Sequence, residues 1–169
     1  MLMRNAFLHC LLGFSALLVG LLFYLSSSPS QSLYVQGLFS IKEALFPDLP
    51  GMLGPFRGAF PEFIHPFAFS LIGIGLGVQT RRGRILICLL FGGINLVFES
   101  AQYFGAAALG LGQNTFEGIP ILENSWNYFQ NGTFSQLDLV AIVLGSFSAF
   151  AVSEFIQSRS RKNVHETVG

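Results

Sequence analysis

The chain is poor in charge. Only 11% of its 169 residues are Asp, Glu, Lys or Arg, against about 25% in an ordinary soluble domain. A surface so short of charge cannot be wetted all over. Nine basic and nine acidic residues cancel, so there is no basic excess to track phosphates, and nucleic acid is not an expected partner. Cysteine is scarce as well. Cys10 and Cys88 fall in apolar runs with no Cys or His nearby at zinc-ligand spacing. Two cysteines make no disulfide framework. The alternating Gly73, Gly75 and Gly77 sit in an apolar run without the strand–loop–helix context of a phosphate cradle, so they read as sites of close helix approach. No cofactor is expected.

Apolar residues are what the chain has instead. They make up 51% of it. Four runs stand out, at about 6–25, 61–79, 84–104 and 137–156. About 20 residues at ~1.5 Å rise cross a ~30 Å hydrocarbon core. Backbone polar groups must be satisfied inside the membrane, so the runs are expected as helices. The first run could serve as a signal peptide, but it is longer than the usual ~7–15 apolar residues and no small-residue cleavage site follows, so it reads as a membrane helix. The expected fold is a single all-α integral membrane domain over 1–169. It has four transmembrane helices, short interfacial helices in the outer segments and a mobile tail over 158–169.

Arg4, Arg81, Arg82, Arg84, Arg159, Arg161 and Lys162 lie at the N-terminus, in the second loop and in the tail. The positive-inside rule therefore puts both termini in the cytoplasm of a multi-pass cell-membrane protein. Two longer segments, about 26–62 and 105–136, then face outward. The stretch 33–46 is mostly apolar and predicts an interfacial helix. Pro47, Pro50, Gly51, Gly54, Pro55 and Gly58 make the stretch after it a turn-rich connector. Trp126, Tyr128 and Phe129 precede the last span, where aromatic side chains anchor at the water boundary.

Polar groups inside the spans are expensive and therefore informative. Asn95, Glu99 and Gln102 follow an i, i+4, i+7 pattern on one face of the third span. Counted from Arg84, Glu99 lies about 22 Å up that helix. His65 begins the second span and Asp138 the fourth, both from the outside. Span order alone thus brings His65, Glu99, Gln102 and Asp138 to one level under the outer headgroups. Each has a plainer reading. Ser135-Gln-Leu-Asp138 has the form of a capping box. His65 precedes Pro66, a residue favoured in a first helical turn, and could be a cap at the interface. Gln102 could hydrogen-bond a neighbouring helix, and Glu99 could be a buried structural acid. His9 reads as structural, and Glu154, near Arg159 and Arg161, as a solvated or paired end group. Gly145 and Ala149 form a small-xxx-small packing pair.

The same residues carry a resemblance. Phe63-Ile-His65-Pro-Phe-Ala-Phe69, Phe98-Glu99-Ser-Ala-Gln102-Tyr-Phe104 and Ser135-Gln-Leu-Asp138-Leu-Val-Ala-Ile-Val-Leu-Gly145 resemble, in order, the three signature segments of the VanZ-like membrane proteins. Three features depart from that pattern. The family's Gly-Arg pair is replaced by Asn131-Gly132-Thr133, a long insertion covers 105–130, and Ile142 stands where an Asn is usual. Arg57 or Lys42 could supply the missing cation. The resemblance implies a multi-pass bacterial envelope protein in a family whose founding member is tied to teicoplanin-type glycopeptide resistance. It implies no reaction.

Three functions compete. In the first, His65, Glu99 and Asp138 are catalytic and Gln102, Asn95 and Arg57 bind substrate, in a site for an envelope lipid or lipid-linked glycan. No nucleophile accompanies them. A variant with His65, Glu99 and Asp138 around a divalent metal lacks a supporting His-x-x-x-His. In the second, the chain is a non-enzymatic membrane factor that binds lipids or another membrane protein, and the polar cluster is structural. In the third, Glu99 is the protonation site of a small transporter, though the cluster lies off the midplane where transporter sites usually sit.

Overall fold

The computed structural model describes residues 2–26, 46, 48–77, 80–104 and 134–168. Among them all regular structure is helical. Helix α1 covers Leu2–Ser26. A single turn, α2 (Leu49–Met52), and a 3-10 turn (Gly54–Phe56) follow. Helix α3 covers Ala59–Gly75, α4 Arg81–Phe104 and α5 Gln136–Val168. Three stretches, Met3–Ser26, Arg81–Phe104 and Gln136–Ser160, are long and apolar enough to cross a membrane. Helix α3 is apolar but shorter, at 17 residues.

The sequence explains two of the helix starts. Thr80 opens α4, with its Oγ1 accepting from the Gly83 N–H at 3.2 Å. Ser135 opens α5, with its Oγ accepting from the Leu137 N–H at 3.2 Å. Such side-chain acceptors satisfy backbone donors that a helix start leaves open. The connector before α3 turns at Gly54, whose φ of 52° suits glycine. Helix α3 starts earlier than the Pro66 signal suggests. Pro61 occupies its first turn, and Pro66 lies in its interior. His65 is therefore no cap: it sits well inside the helix. The second apolar run was expected to continue to 79, but α3 stops at Gly75, with Leu76 as its cap. At the other end of the chain, residues 158–168, expected as a tail, continue α5 as helix. No Gly or Pro interrupts them. The helix expected over 33–46, the aromatic anchor Trp126–Phe129 and the 105–130 insertion lie outside the described residues.

The four long helices alternate in direction. Asn5 and His9 near the start of α1 meet Gln157 and Ser153 late in α5. Tyr24 at the end of α1 meets His65 early in α3. Arg84 early in α4 meets Glu154 late in α5, and Tyr103 late in α4 meets Phe134 just ahead of α5. Helix α3 is the centre, packed against α1 and α5, with α4 against α3 and α5. Leu71, Ile74, Cys88 and Ala149 form its buried contact with the neighbours.

The outward faces carry large exposed apolar side chains, among them Phe7, Phe14, Leu86, Leu89, Val143 and Phe147. In lipid, apolar burial gives little drive for helix association, so cohesion rests on close packing and polar contacts. Two glycines make the close packing possible. A Cβ on Gly75 would lie 2.5 Å from Cys10 Sγ and 2.8 Å from the Ala6 carbonyl oxygen of α1. A Cβ on Gly145 would collide with the Phe63 carbonyl oxygen of α3. The expected packing role of Gly75 and Gly145 thus has a specific partner in each case, whereas Gly77 faces open space.

Candidate functional site

Polar side chains gather at both ends of the bundle. At the first end, His9 is fully buried. Its Nδ1 donates to the Asn5 carbonyl oxygen at 2.5 Å, which fixes a proton on that nitrogen, and Nε2 faces Ser153 Oγ at 3.1 Å. One turn further, Asn5 Nδ2 donates to Gln157 Oε1 at 3.2 Å. Arg84, with its side chain 3% exposed, pairs with Glu154, and Arg81 reaches the other Glu154 oxygen at 3.7 Å. The partners of Glu154 are therefore Arg81 and Arg84 across the helix interface. Arg159, one of the basic neighbours expected beside it in sequence, instead lies over the Phe155 ring at 4.7 Å. These contacts join α1 and α4 to α5.

The second end holds the residues the sequence singled out. Glu99 is 1% exposed. Gln102, one turn on, donates from Nε2 to Glu99 Oε2 at 3.3 Å. The Glu99 carboxyl also lies within hydrogen-bond reach of the Asp138 carboxyl and of the Ser135 backbone N–H. The capping box is thus shared between helices. Ser135 caps α5 through its own hydroxyl, while its N–H faces Glu99 of α4. Asp138, in the first turn of α5, faces Glu99. Oε1 of Glu99 is buried without a hydrogen-bond partner.

A third acid belongs to this group. Glu62, in the first turn of α3, lies within electrostatic range of both Glu99 and Asp138. It also acts on Tyr24 of α1. In the sequence Glu62 stands where the outer segment 26–62 meets the span of about 61–79. Its signal was available: Glu62 is three residues before His65, one turn away on the same helix. Pro66, four residues after Glu62, has no N–H to offer the Glu62 carbonyl, so that oxygen lacks its usual helical donor. Among the described residues no ion pair reaches Glu62, Glu99 or Asp138.

The other predicted site residues have contacts of their own. The contacts of His65 are aromatic: Tyr24 stacks on it at 6.1 Å and 19°, and Phe69 lies at 6.2 Å. No hydrogen bond among the described residues joins it to Glu99 or Asp138. Asn95 shares the helix face of Glu99 but donates to its own helix, to the Phe91 carbonyl at 2.8 Å. Arg57 closes the 3-10 turn, its N–H donating to the Gly54 carbonyl at 3.3 Å. Among the described residues no three His, Cys, Asp or Glu side chains are arranged to hold a metal ion.

No family model, no curated protein and no solved structure matches the chain.

Proposed function

We propose that the chain is a VanZ-like bacterial envelope membrane protein whose Glu99 end binds the polar headgroup of an envelope lipid or lipid-linked glycan. In this reading α3, short as it is, is a fourth span. Both termini are cytoplasmic, and the Glu99 end lies under the outer headgroups. The basic residues at the opposite end support that orientation through the positive-inside rule. The three signature segments support the family, and with it a link to glycopeptide-type antibiotic resistance.

One observation carries the site. Oε1 of Glu99 is buried and unsatisfied, beside two further acids. An acid inside a span costs about 2.5–3.5 kcal/mol at the membrane centre, and an unmade hydrogen bond adds about 1–3 kcal/mol. A headgroup donor that entered here would relieve both. Binding is better supported than acid–base catalysis, because His65, the expected partner base, faces aromatic rings.

The test is susceptibility to envelope-directed antibiotics, glycopeptides included, in cells making wild type or Glu99→Gln at matched membrane abundance. The proposal expects a wild-type shift that Glu99→Gln abolishes. Equal susceptibility with and without a well-folded Glu99→Gln variant returns the cluster to a structural role, in a membrane factor that acts through another surface.

A further inference from the structure

We propose that the end of the bundle opposite Glu99 is a second lipid contact: an arc of arginines, Arg4, Arg81, Arg82 and Arg159, that holds the phosphates of anionic phospholipids in the adjoining leaflet. It is separate from the Glu99 end and does not depend on what binds there.

The first argument is level, which contacts between helices fix. Arg84 of α4 meets Glu154 of α5, and Arg81 reaches the same carboxylate at 3.7 Å. Asn5 of α1 meets Gln157 of α5 at 3.2 Å. At ~1.5 Å per residue along each helix, Arg4, Arg81, Arg82 and Arg159 all lie about 3–8 Å beyond the level of Glu154. The four positions thus share one band, about a turn deep, on three helices. An arc at one depth suits a plane of headgroups.

The second argument is charge. Counted through Ser160, this end carries five arginines, and Glu154 is its one acid. Glu154 is taken by Arg84, whose side chain is 3% exposed, while Arg81 is 71% exposed. The exposed outer pair is weak and leaves Arg81 open to another anion. Arg4, Arg82 and Arg159 are exposed and make no ion pair among the described residues. The protein therefore does not neutralise the arc itself. Guanidinium groups match phosphate oxygens two bonds at a time.

The third argument is the membrane plane. The stretches Met3–Ser26, Arg81–Phe104 and Gln136–Ser160 are long enough to cross a membrane, and each begins or ends within one residue of the arc. The Arg159 guanidinium lies over the Phe155 ring at 4.7 Å, and that ring is on the outward apolar surface. A cation flat on a lipid-facing ring stands where a phosphate sits above its acyl chains. The ring takes the guanidinium face and leaves N–H donors at its edge. Anionic headgroups are already present at that depth, whereas an acidic protein would have to displace them to reach it.

The experiment uses the full chain purified in mild detergent, with lipid retention read by native mass spectrometry from ammonium acetate. The probes are phosphatidylglycerol and phosphatidylcholine with the same acyl chains. Glycerophosphoglycerol serves as a chain-free competitor and polyglutamate as an acidic-peptide competitor. The proposal expects phosphatidylglycerol to be retained at least about tenfold better than phosphatidylcholine at about 0.1 M salt, with the preference falling several-fold at about 1 M. Arg82→Gln combined with Arg159→Gln should cut it at least about fivefold, and both lie outside the Arg84–Glu154 pair. Glu99→Gln should leave it in place. The wild-type comparison and its salt dependence stand even if a variant fails to fold. Equal retention of the two lipids by wild type overturns the proposal, as does a preference unchanged in a folded arginine variant. Loss of the preference in a folded Glu99→Gln would assign the anionic lipid to the other end. Efficient displacement by glycerophosphoglycerol would overturn the lipid as source, and efficient displacement by polyglutamate would assign the arc to an acidic protein instead.

Discussion

Glu99 of α4 and Asp138 of α5 face each other within hydrogen-bond reach, at the same helix interface that Arg84 and Glu154 join about 22 Å away along α4. The interface thus has two polar contacts of opposite character. One pairs a cation with an acid. The other sets acid beside acid and leaves an oxygen open. The first is suited to holding the bundle together and the second to binding.

The ion-paired end predicts a loss of stability. Glu154→Ala should lower thermal stability in detergent by about 2–3 kcal/mol, because it removes the acid that pairs with the buried Arg84. The open side of Glu154 puts the loss at the lower end of what buried pairs show. Replacing both members, with Arg84→Met and Glu154→Leu, should recover most of it. A double variant no more stable than Glu154→Ala would mean that Arg84 is held by other contacts. The readout is a thermal-unfolding series of the purified variants.

His9 and Ser153 should couple. Each alanine substitution removes one side of the same interhelix hydrogen bond. A double-mutant cycle should give an interaction of about 1 kcal/mol. An interaction near zero would show that the ring is held by its bond to the Asn5 carbonyl and by packing.

The glycines sort by what they face. Gly145→Val should cost at least about 1–3 kcal/mol, since its side chain meets the backbone of α3 and cannot be relieved by a rotamer change. Gly77→Ala, which faces open space, should be neutral to within about 0.5 kcal/mol. Parallel effects of the two in a membrane-abundance assay would contradict the close-approach account.

Much of this arrangement was legible in the sequence, for physical reasons. Uncharged runs of spanning length predict helices, and the clustering of Arg81, Arg82 and Arg84 opposite Glu99 predicts alternating helices with one basic end. From alternation alone His65, Glu99, Gln102 and Asp138 fall at one level; the structure sets Gln102 and Asp138 against Glu99, while the contacts of His65 are with Tyr24 and Phe69. Rotation about each helix axis was not legible. His65 and Glu62 are one turn apart on α3, yet His65 meets aromatic rings and Glu62 meets the acids. Asn95 shares a face with Glu99 and is absorbed by its own backbone. Helix bounds were obscured by Pro66, because a proline tolerated inside α3 looks in sequence like a helix start. Pairing over distance was hidden as well: Glu154 sits near Arg159 in sequence but meets Arg84 in space.

His65 provides a further prediction, because its role differs between the two readings of the site. As a ring stacked on Tyr24 it should tolerate Phe: if wild type shifts antibiotic susceptibility as proposed, His65→Phe should keep that shift and His65→Ala should weaken it. An acid–base role requires a ring nitrogen, and loss of the phenotype in His65→Phe at normal abundance would reinstate it. Asn95→Ala should leave any such shift unchanged, since its side chain donates to the Phe91 carbonyl of its own helix.

The central claim is that the acidic end holds a headgroup, and the lipid that co-purifies with the protein tests it most directly. Wild type and Glu99→Gln would be purified from the same membranes and their bound lipids extracted and quantified, with thermal stability measured on the same samples. The account predicts one lipid class enriched above its share of the membrane in wild type, falling to that share in Glu99→Gln while the fold is retained. The same lipid profile in two equally folded proteins would contradict it.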